Sequence, residues 1–549
     1  MIKNIISIQL VVLLIAGCSQ TGSHKKANTI KDISMSVTRK PILEGKTNSD
    51  LICIRIGSPV EPERELIIRK VELTFTRNST PENLSSIIVH HKMEGAEPGE
   101  LQLFGETTTP SIKSEIEGKI ALLPGQNLLT ISFTSAGRCD LTSKLTIERM
   151  RIFFSSGIIR DIPVPVGNDT WYFGVPVRTA GQESVHTYRI PGIITTNNGT
   201  LVAVYDARHN SSKDLQGDID IGMSRSTDGG QTWEPMRIIA DMDSYGGRPE
   251  EQNGTGDPCI LYDHINNTVW VATLWLSGSD PSKMVWFESK PGMDPEITGQ
   301  IIMVESTDDG LTWSEPVNIT PQVKNPHWQL LLQGPGRGIT TSNGTLVLPA
   351  QFKADIGVRA IDGGQFTCHS TIIYSTDGGN MWKIGSGAKA NTTEAQVAEL
   401  SDGSLMLNMR DDRNRSEKGT ENGRAVAVTA NLGKTWTPHS STNSKLPEPN
   451  CMASLISTTI MLKGEKKNVL FFSNPADKSK RTNLTIKASL DEGITWPEEY
   501  QLEIYEPESF GYSCLTMVDD NHLGILYEGS RELYFQKFAV SEILNAEKR

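Results

Sequence analysis

Residues 226–233, STDGGQTW, are the stretch that decides the fold, because their pattern Ser-x-Asp-x-Gly-x-x-Trp recurs along the chain. The copies are about 54 to 80 residues apart, which suits one four-stranded β-propeller blade for each copy. Five copies leave room for a sixth blade without the motif. The other four are STDDGLTW at 306–313, STDGGNMW at 375–382, TANLGKTW at 429–436 with Asn431 in place of the aspartate, and SLDEGITW at 489–496.

The repeated residues suit a structural role, and we call each copy an Asp box. Asp228 and its counterparts can accept backbone N–H groups in a tight hairpin turn, and the glycine supplies a positive φ. We expect the tryptophan to fill the space between strands of its own blade, away from catalysis. Asp boxes occur both in receptors without enzymatic activity and in glycosidases, so they predict the fold without fixing the reaction.

The chain before the boxes has a different pattern. Residues 31–165 contain short runs that alternate apolar and polar residues, such as Val71, Leu73 and Phe75, separated by Gly, Pro and Asn turns. This alternation predicts an all-β sandwich, which could bind carbohydrate or act as a spacer. The Pro-rich residues 166–180 are predicted to be a linker into a propeller domain over 181–549.

The N-terminus has the features of an export signal. Lys3 precedes an apolar run over 5–15, and Ile15-Ala16-Gly17-Cys18 resembles a bacterial lipobox with a lipidated cysteine. We therefore predict a lipoprotein-type signal peptide over 1–18 and a polar tether over 19–30. The alternative is an ordinary signal peptide with an incidental cysteine. Either reading predicts an exported protein, located in the periplasm, at the outer membrane or cell surface, or secreted.

Composition excludes several classes of partner. The 549 residues carry a formal net charge of −12, so there is no basic footprint for nucleic acid. Apart from Cys18, the six cysteines are scattered, with no Cys-x-x-Cys and no histidine at ligand spacing. We expect no metal, no cofactor, contact with the membrane only through Cys18, and a monomer.

A motif ahead of the first Asp box suggests a family. Tyr188-Arg189-Ile190-Pro191-Gly192 resembles the Arg-Ile-Pro segment that opens the catalytic domain of exo-α-sialidases (neuraminidases) of glycoside hydrolase family 33. The resemblance covers about residues 180 to 540. It implies a six-bladed propeller that removes terminal α-linked sialic acid from glycoproteins, oligosaccharides and glycolipids such as gangliosides.

Sialic acid carries a carboxylate on its anomeric carbon, which guanidinium groups bind well. The resemblance assigns this role to Arg189, to Arg410 in LMLNMRDDR, and to Arg481 in SNPADKSKRTNLTI. These arginines belong to different blades, and we expect them to converge on one pocket.

The resemblance also places a general acid and base on a loop after Asp206-Ala207-Arg208. Asp214 is the prediction for this role, with Asp218 as the alternative. Arg208 is expected to contact the ring substituents of the sugar.

A carboxylate nucleophile would be repelled by the substrate carboxylate, and sialidases are the glycosidases known to use tyrosine instead. Tyr512 in Phe510-Gly-Tyr-Ser-Cys-Leu515 matches the family segment. A phenol with a pKa near 10 needs a neighbouring base, and the resemblance assigns this role to Glu394, with Glu399 as the alternative.

Other positions have supporting roles by resemblance. Asp257 in Gly-Asp-Pro is expected to contact the ring hydroxyl or N-acetyl region, and Glu528 to orient Arg189. Residues 334–339 are interpreted as shaping a loop near the pocket, and Trp275 is predicted to line it. Together these assignments imply retaining hydrolysis. The rival hypotheses are an inactive sialic-acid-binding propeller and a trans-sialidase or intramolecular lyase built on the same core.

Overall fold

The computed structural model describes residues 30, 32–59, 65–165, 167, 169–278, 280 and 282–544. The predicted signal peptide over 1–18 and nearly all of the tether over 19–30 lie outside the described residues. None of the helices in the described part of the chain has the length and apolar character needed to cross a bilayer.

The N-terminal part is a β-sandwich, as the alternating pattern predicts. One sheet has the strand order β1-β3-β8-β5-β6, and the other contains β7, β4 and β9, with β10 paired to β9. The strands are β1 Ile33–Val37, β2 Ile42–Leu43, β3 Thr47–Ser58, β4 Ile67–Phe75, β5 Leu84–Met93, β6 Gln102–Thr107, β7 Lys113–Ala121, β8 Gly125–Ser135, β9 Lys144–Phe154 and β10 Ile159–Ile162.

Alternation along the strands builds the core of the sandwich. Val71, Leu73 and Phe75 on β4 face Ile131 and Phe133 on β8, and all five side chains are fully buried. The ring centroids of Phe75 and Phe133 are 6.1 Å apart in an edge-to-face arrangement. Successive side chains of a strand point to opposite faces, so one apolar face of each sheet supplies the core.

The rest of the chain forms six blades, which confirms the propeller. The first strands of neighbouring blades pack together around a central channel: β12 contacts β16 and β35, and β27 contacts β31. The strands of blade one are β12 Thr187–Thr195, β13 Leu201–Arg208, β14 Ile219–Ser226 and β15 Arg237–Ala240; of blade two, β16 Thr255–Asp263, β17 Thr268–Trp275, β18 Gln300–Ser306 and β19 Val317–Asn318; of blade three, β20 Leu330–Gln333, β21 Gly336–Arg337, β22 Ile339–Thr340, β23 Leu346–Asp355, β24 Phe366–Ser375, β25 Lys383–Ile384 and β26 Lys389–Ala390.

The second half of the ring has the same plan. The strands of blade four are β27 Thr392–Glu399, β28 Leu405–Asp411, β29 Ala425–Thr429 and β30 Thr437–Pro438; of blade five, β31 Ser454–Leu462, β32 Glu465–Pro475, β33 Leu484–Ser489 and β34 Gln501–Tyr505; of blade six, β35 Ser513–Asp519, β36 His522–Glu528 and β37 Leu533–Ala539. Helices in the described part are short: α1 Val285–Glu288, α2 Thr320–Val323, α3 Val540–Leu544 and 3₁₀ turns at Pro81–Asn83, Pro98–Glu100, Gln182–Ser184, Tyr245–Gly247, Glu250–Gln252, Asp412–Arg415 and Glu498–Tyr500.

Each Asp box forms the turn expected for it. In the first box, Asp228 Oδ1 accepts from the backbone N–H of Thr232 at 2.9 Å, and Gly230 has a φ of +89°. Asn431 reproduces the same contact in the degenerate copy, accepting from the N–H of Thr435 at 3.0 Å. The boxes follow the third strands of blades one to five, at the end of the propeller opposite to where the first strands begin.

The packing of two box tryptophans differs from the prediction. Trp233 of blade one packs edge-to-face on Phe535 of blade six, with ring centroids 5.4 Å apart. Trp382 of blade three packs in the same way on Trp270 of blade two at 6.1 Å. The expectation that the tryptophan fills its own blade is therefore wrong for Trp233 and Trp382, whose rings pack against the preceding blade. It holds for Trp496, whose ring centroid lies 5.7 Å from that of Phe472 in the same blade five.

Residues 166–180, predicted to be a linker, instead contain strand β11, Thr170–Arg178. This strand pairs antiparallel with β37 as the fourth strand of blade six, and also with β9 of the sandwich. Its residues are mostly buried, because apolar side chains such as Trp171 and Phe173 enter the sandwich core. Blade six has no Asp box because its outer strand comes from earlier in the chain, so no hairpin joins its third and fourth strands.

Further contacts fix the sandwich against the propeller. Gln231 in the first Asp box donates to the backbone carbonyl of Cys139 at 2.6 Å. Arg39 Nη2 lies 2.9 Å from Glu503 Oε2, and Lys144 Nζ lies 2.6 Å from Glu542 Oε1. The sandwich therefore touches both blade one and the strands at the end of the propeller chain.

Candidate active site

One pocket lies at the end of the propeller where the first strands of the blades begin. Arg189, Asp257 and Glu394 lie near the starts of β12, β16 and β27, and Tyr512 immediately precedes β35. The pocket has a volume of about 590 Å³. Its polar lining consists of Arg189, Asp214, Asp257, Gln351, Asp362, Thr393, Glu394, Arg410, Arg415, Arg481 and Tyr512. The structure thus brings together residues from distant parts of the sequence.

Tyr512 and Glu394 are joined by a short hydrogen bond from the phenol to Glu394 Oε1. Arg410 Nη1 donates to the other carboxylate oxygen of Glu394 at 2.6 Å and to Tyr512 Oη at 3.3 Å. Burial alone raises the pKa of Glu394, but Arg410 and the phenol outweigh it and lower that pKa below its ordinary value. Burial and Glu394 raise the pKa of Tyr512 well above 10. The free site therefore pairs a neutral phenol with a carboxylate that can take its proton.

Glu528 organises the opposite side of Tyr512. Its Oε1 accepts from Arg189 Nε at 3.1 Å and from the backbone N–H of Ile190 at 2.9 Å, and its Oε2 accepts from the backbone N–H of Tyr512 at 2.8 Å. Ile190 has a φ of +56°, which is rare for a β-branched residue and costs about 1–3 kcal/mol. Glu528 contributes to holding this strained backbone, which carries Arg189 into the pocket.

The three arginines differ in their partners. Arg189 contacts Glu528 and Asp214, and Arg410 contacts Glu394. Arg481 donates only to backbone carbonyls, at 2.8 Å to Phe510 and at 3.4 Å to Asn450. Among the described residues, no carboxylate lies within 4.0 Å of Arg481. Its charge is therefore available for an anionic ligand.

Asn450 is a site residue that the sequence reasoning missed. Its Oδ1 accepts from Arg410 Nε at 3.1 Å and from Arg410 Nη2 at 2.8 Å. Its own backbone has a φ of +61°, a conformation in which asparagine is enriched. The only signal in the sequence is the turn-like Pro-Glu-Pro-Asn at 447–450, which says nothing about a partner in blade four.

Asp214 lies on the loop between β13 and β14, above two arginines. Its Oδ1 accepts from Arg208 Nη1 at 2.8 Å and from Arg189 Nη1 at 3.1 Å, while about half of the side chain is exposed. Burial raises the pKa of Asp214, whereas Arg208 and Arg189 lower it by a larger amount. The pKa of Asp214 therefore lies below the ordinary value for an aspartate. Asp214 is thus ionised in the free site at neutral pH.

Arg208 lies behind the residues that line the pocket. Its side chain is almost fully buried, and it donates to Asp206 Oδ2 at 3.1 and 2.8 Å and to the carbonyl of Ser212 at 2.8 Å. It is not among the residues that line the pocket. Asp206 thus holds the guanidinium behind the Asp214 loop, and the contact of Arg208 with the sugar stays a prediction.

Asp257 lines the pocket beside these acids. Its backbone N–H donates to Asp206 Oδ1 at 2.9 Å, with a φ of +58°. Burial, followed by the charges of Asp206, Asp214 and Glu394, raises the pKa of its carboxyl well above the ordinary value. Asp257 therefore tends to be a protonated group facing the pocket, able to donate a hydrogen bond.

The alternative residues for the general acid and for the base, Asp218 and Glu399, do not line the pocket. Glu399 accepts from the backbone N–H and the hydroxyl of Ser342, both at 2.7 Å, toward the opposite end of the propeller. Asp218 accepts from Asn210 at 3.3 Å outside the pocket.

Trp275 is buried against Tyr245, with ring centroids 4.8 Å apart, and does not line the pocket. The prediction for Trp275 is wrong, and Trp286 lines the pocket instead.

One group of potential metal ligands lies near the Asp214 loop. His209, Asp218 and Asp220 place ligand atoms within 4.8 Å of one another. His209 Nε2 and Asp220 Oδ2 are 3.1 Å apart, and this contact, more than any other, raises the pKa of His209. We interpret the group as an ion pair that closes the loop.

Fold and pocket together define a class of protein. It is a six-bladed Asp-box propeller whose pocket combines arginines, several acids and a tyrosine bound to a carboxylate, as in a glycosidase for an anionic sugar. Residues 199–526 match the family described as BNR repeat-like domain. The chain is 47% identical to a sialidase of Bacteroides fragilis over 80% of this chain and 78% of that protein. It is 30% identical to a sialidase of Micromonospora viridifaciens over 69% of this chain and 56% of that protein.

A solved structure agrees with these relatives. The Hadza microbial sialidase Hz136 superposes with a TM-score of 0.82 at 38% identity, covering 93% of this chain and all of that one. The chain belongs to the sialidase family, and it is an exo-α-sialidase, a glycoside hydrolase.

Proposed function

We propose that this sialidase removes terminal α-linked sialic acid from glycoproteins, glycolipids and oligosaccharides by retaining hydrolysis through a covalent sialyl-tyrosine. The observation that carries the proposal is the hydrogen bond between Tyr512 and Glu394 beneath three arginines. A neutral nucleophile with an ionised base suits a reaction centre that already bears a carboxylate.

The substrate carboxylate is bound by Arg189, Arg410 and Arg481. Arg481 supports this assignment most directly, since it has no acidic partner of its own among the described residues. Rigid guanidinium groups from three blades can contact both carboxylate oxygens and fix the anomeric carbon near Tyr512.

In the first step, Tyr512 Oη bonds to the anomeric carbon while its proton passes to Glu394. The glycosidic bond breaks, and Asp214 gives its proton to the departing oxygen. In the second step, Asp214 takes a proton from water as the water oxygen attacks the anomeric carbon. Tyr512 then leaves and recovers its proton from Glu394, which releases free sialic acid.

Asp214 must be protonated to act as the acid, although its pKa is lowered in the free site. A bound substrate carboxylate would offset the charge of Arg189, one of the two arginines that lower this pKa. Substrate binding therefore raises the pKa of Asp214 toward the working pH. Asp257 is suited to donating a hydrogen bond to a ring substituent, and Glu528 keeps Arg189 in place.

A covalent trap tests the proposed intermediate. The protein is incubated with 2,3-difluorosialic acid and digested, and the peptides are analysed by mass spectrometry. We expect the added mass on the peptide that contains Tyr512, and no adduct in Tyr512→Phe. Hydrolysis of sialyllactose without any adduct on Tyr512 would contradict the mechanism, and a 2,7-anhydro product would indicate the lyase reaction.

We also propose that the protein is an exported monomer anchored through a lipid on Cys18. The support is the lipobox-like sequence before Cys18. Fractionation of cells that express the full chain tests this, with Cys18→Ser as the variant. We expect the wild-type protein in the membrane fraction and the variant outside it. Light scattering of protein lacking residues 1–18 measures the oligomeric state.

A further inference from the structure

Arg337 lies inside the central channel of the propeller, away from the proposed chemistry. It belongs to β21, which runs parallel to β16 with Arg337 opposite Ile260. Its Nη1 donates across the channel to the carbonyl of Leu515 at 3.2 Å and to Thr516 Oγ1 at 3.4 Å. One cationic side chain thus connects β21, which pairs with blade two, to blade six. The predicted role of residues 334–339 in shaping a loop does not account for it.

The charge of Arg337 has no counterpart in this part of the fold. Within the described residues, no carboxylate lies within 4.0 Å of the guanidinium. Its titratable neighbours are the thiols of Cys259 and Cys514, and burial lowers the pKa of the guanidinium. The Arg337 side chain is partly exposed and lines an adjacent cavity, so an anion that enters the cavity from solvent can reach this charge. The buried Arg424, by comparison, has Glu448 at 2.7 Å.

The guanidinium also has unused donors and space in front of them. Nη2 donates to no acceptor in the described part of the chain, and the Nη1 contacts are long. Arg337 lines a cavity of about 460 Å³ at the end of the channel opposite to the catalytic pocket. Hydroxyl-bearing residues share the lining: Thr195, Thr340, Ser457 and Thr458. Glu399 also lines this cavity, but its two oxygens accept from Ser342.

We propose that Arg337 binds a small monovalent inorganic anion, of the size of chloride, in the central channel. One guanidinium with hydroxyl groups nearby can neutralise one charge, whereas a dianion such as sulfate would keep one charge without a counter-charge. The site is independent of the proposed catalytic function and is separated from Tyr512 by the apolar cluster of Ile190, Cys451 and Met452.

Crystals of the protein grown or soaked in sodium bromide test the site directly, because bromide replaces chloride and scatters anomalously. We expect an anomalous peak beside Nη2 of Arg337 in the wild-type protein. Absence of a peak there, in crystals whose surface sites do contain bromide, would overturn the proposal. This measurement needs no variant to fold.

Thermal unfolding gives a second, independent readout. At constant ionic strength, replacing a large organic anion by chloride should raise Tm of the wild-type protein saturably, by roughly 2 °C at ten times the dissociation constant. Arg337→Met should lose this response, Arg337→Lys should keep part of it, and the exposed Arg69→Met should respond like the wild type. An equal response in Arg337→Met and Arg69→Met would indicate only general salt effects and would refute the site.

Discussion

Glu528 accepts a hydrogen bond from Arg189 at 3.1 Å, although the two residues are 339 positions apart. Arg189 is on the first strand of blade one and Glu528 is on blade six, so the contact crosses the junction where the ring closes. The same carboxylate accepts from the backbone N–H of Tyr512. The buried Glu528 side chain therefore contributes both to the junction that closes the ring and to the position of Tyr512.

Glu528→Gln tests this dependence. Both carboxylate oxygens accept from N–H groups, and glutamine retains only one acceptor, so one donor loses its partner. We expect kcat/KM to fall by about 100-fold, because a displacement near 1 Å in the site has that effect. Tm should fall as well. Glu508→Gln, at an exposed position, is the control, and wild-type kinetics in Glu528→Gln would contradict the role.

Arg481→Met and Arg410→Met should separate binding from stability. Both remove a contact to the substrate carboxylate and should raise KM strongly. Arg410→Met also leaves the buried Glu394 without its ion-pair partner, which costs about 3–5 kcal/mol of unfolding free energy, whereas Arg481→Met leaves no carboxylate unpaired. Denaturant unfolding of the two variants measures the difference, and equal losses would show that Arg481 has a structural partner.

Asp214→Asn tests the general acid through the leaving group. We expect kcat for sialyllactose to fall by about 10²–10⁴-fold, the usual contribution of general acid catalysis. An aryl sialoside with an acidic phenol needs little protonation, so its cleavage step should lose much less. Equal losses on both substrates would argue against Asp214 as the acid, and Asp218→Asn is the matched control.

The pH profile should reflect the environment of Asp214. Above its pKa the protonated fraction falls tenfold for each pH unit, and this pKa is lowered in the free enzyme. In the complex, the substrate carboxylate offsets the positive charge of Arg189 and so raises the pKa of Asp214. The decrease of kcat at high pH should therefore begin at a higher pH than the decrease of kcat/KM. If kcat and kcat/KM begin to decrease at the same pH, substrate binding leaves the pKa of Asp214 unchanged.

Asp257→Asn should stabilise the protein at neutral pH. The pKa of Asp257 is raised in the folded state, so the folded protein binds the extra proton and loses stability as pH rises above the unfolded pKa near 4. Asparagine removes this penalty, and Tm should rise by about 2 °C at pH 7 with no gain below pH about 4. Sialidase activity should fall. A loss of stability at pH 7 would mean that the carboxylate is ionised and bound.

The Asp boxes made the propeller predictable, because each turn is built from residues within one short segment, such as Asp228 and Thr232. The packing of Trp233 was not predictable in this way, since Phe535 reaches it only when the ring closes. For the site, resemblance located Asp214, Glu394, Tyr512 and the arginines. It did not locate Asn450, whose partner depends on a contact between two blades, and it did not predict that Asp206 is the partner of Arg208.

Strand β11 is paired on one edge with the last strand of the propeller and on the other with the sandwich. The two domains therefore cannot be exchanged as independent units, since a gene fragment that starts at residue 181 encodes a propeller whose final blade has three strands. Neither half can be melted or excised without exposing the edge of the other, so sandwich and propeller are expected to unfold as a single cooperative unit.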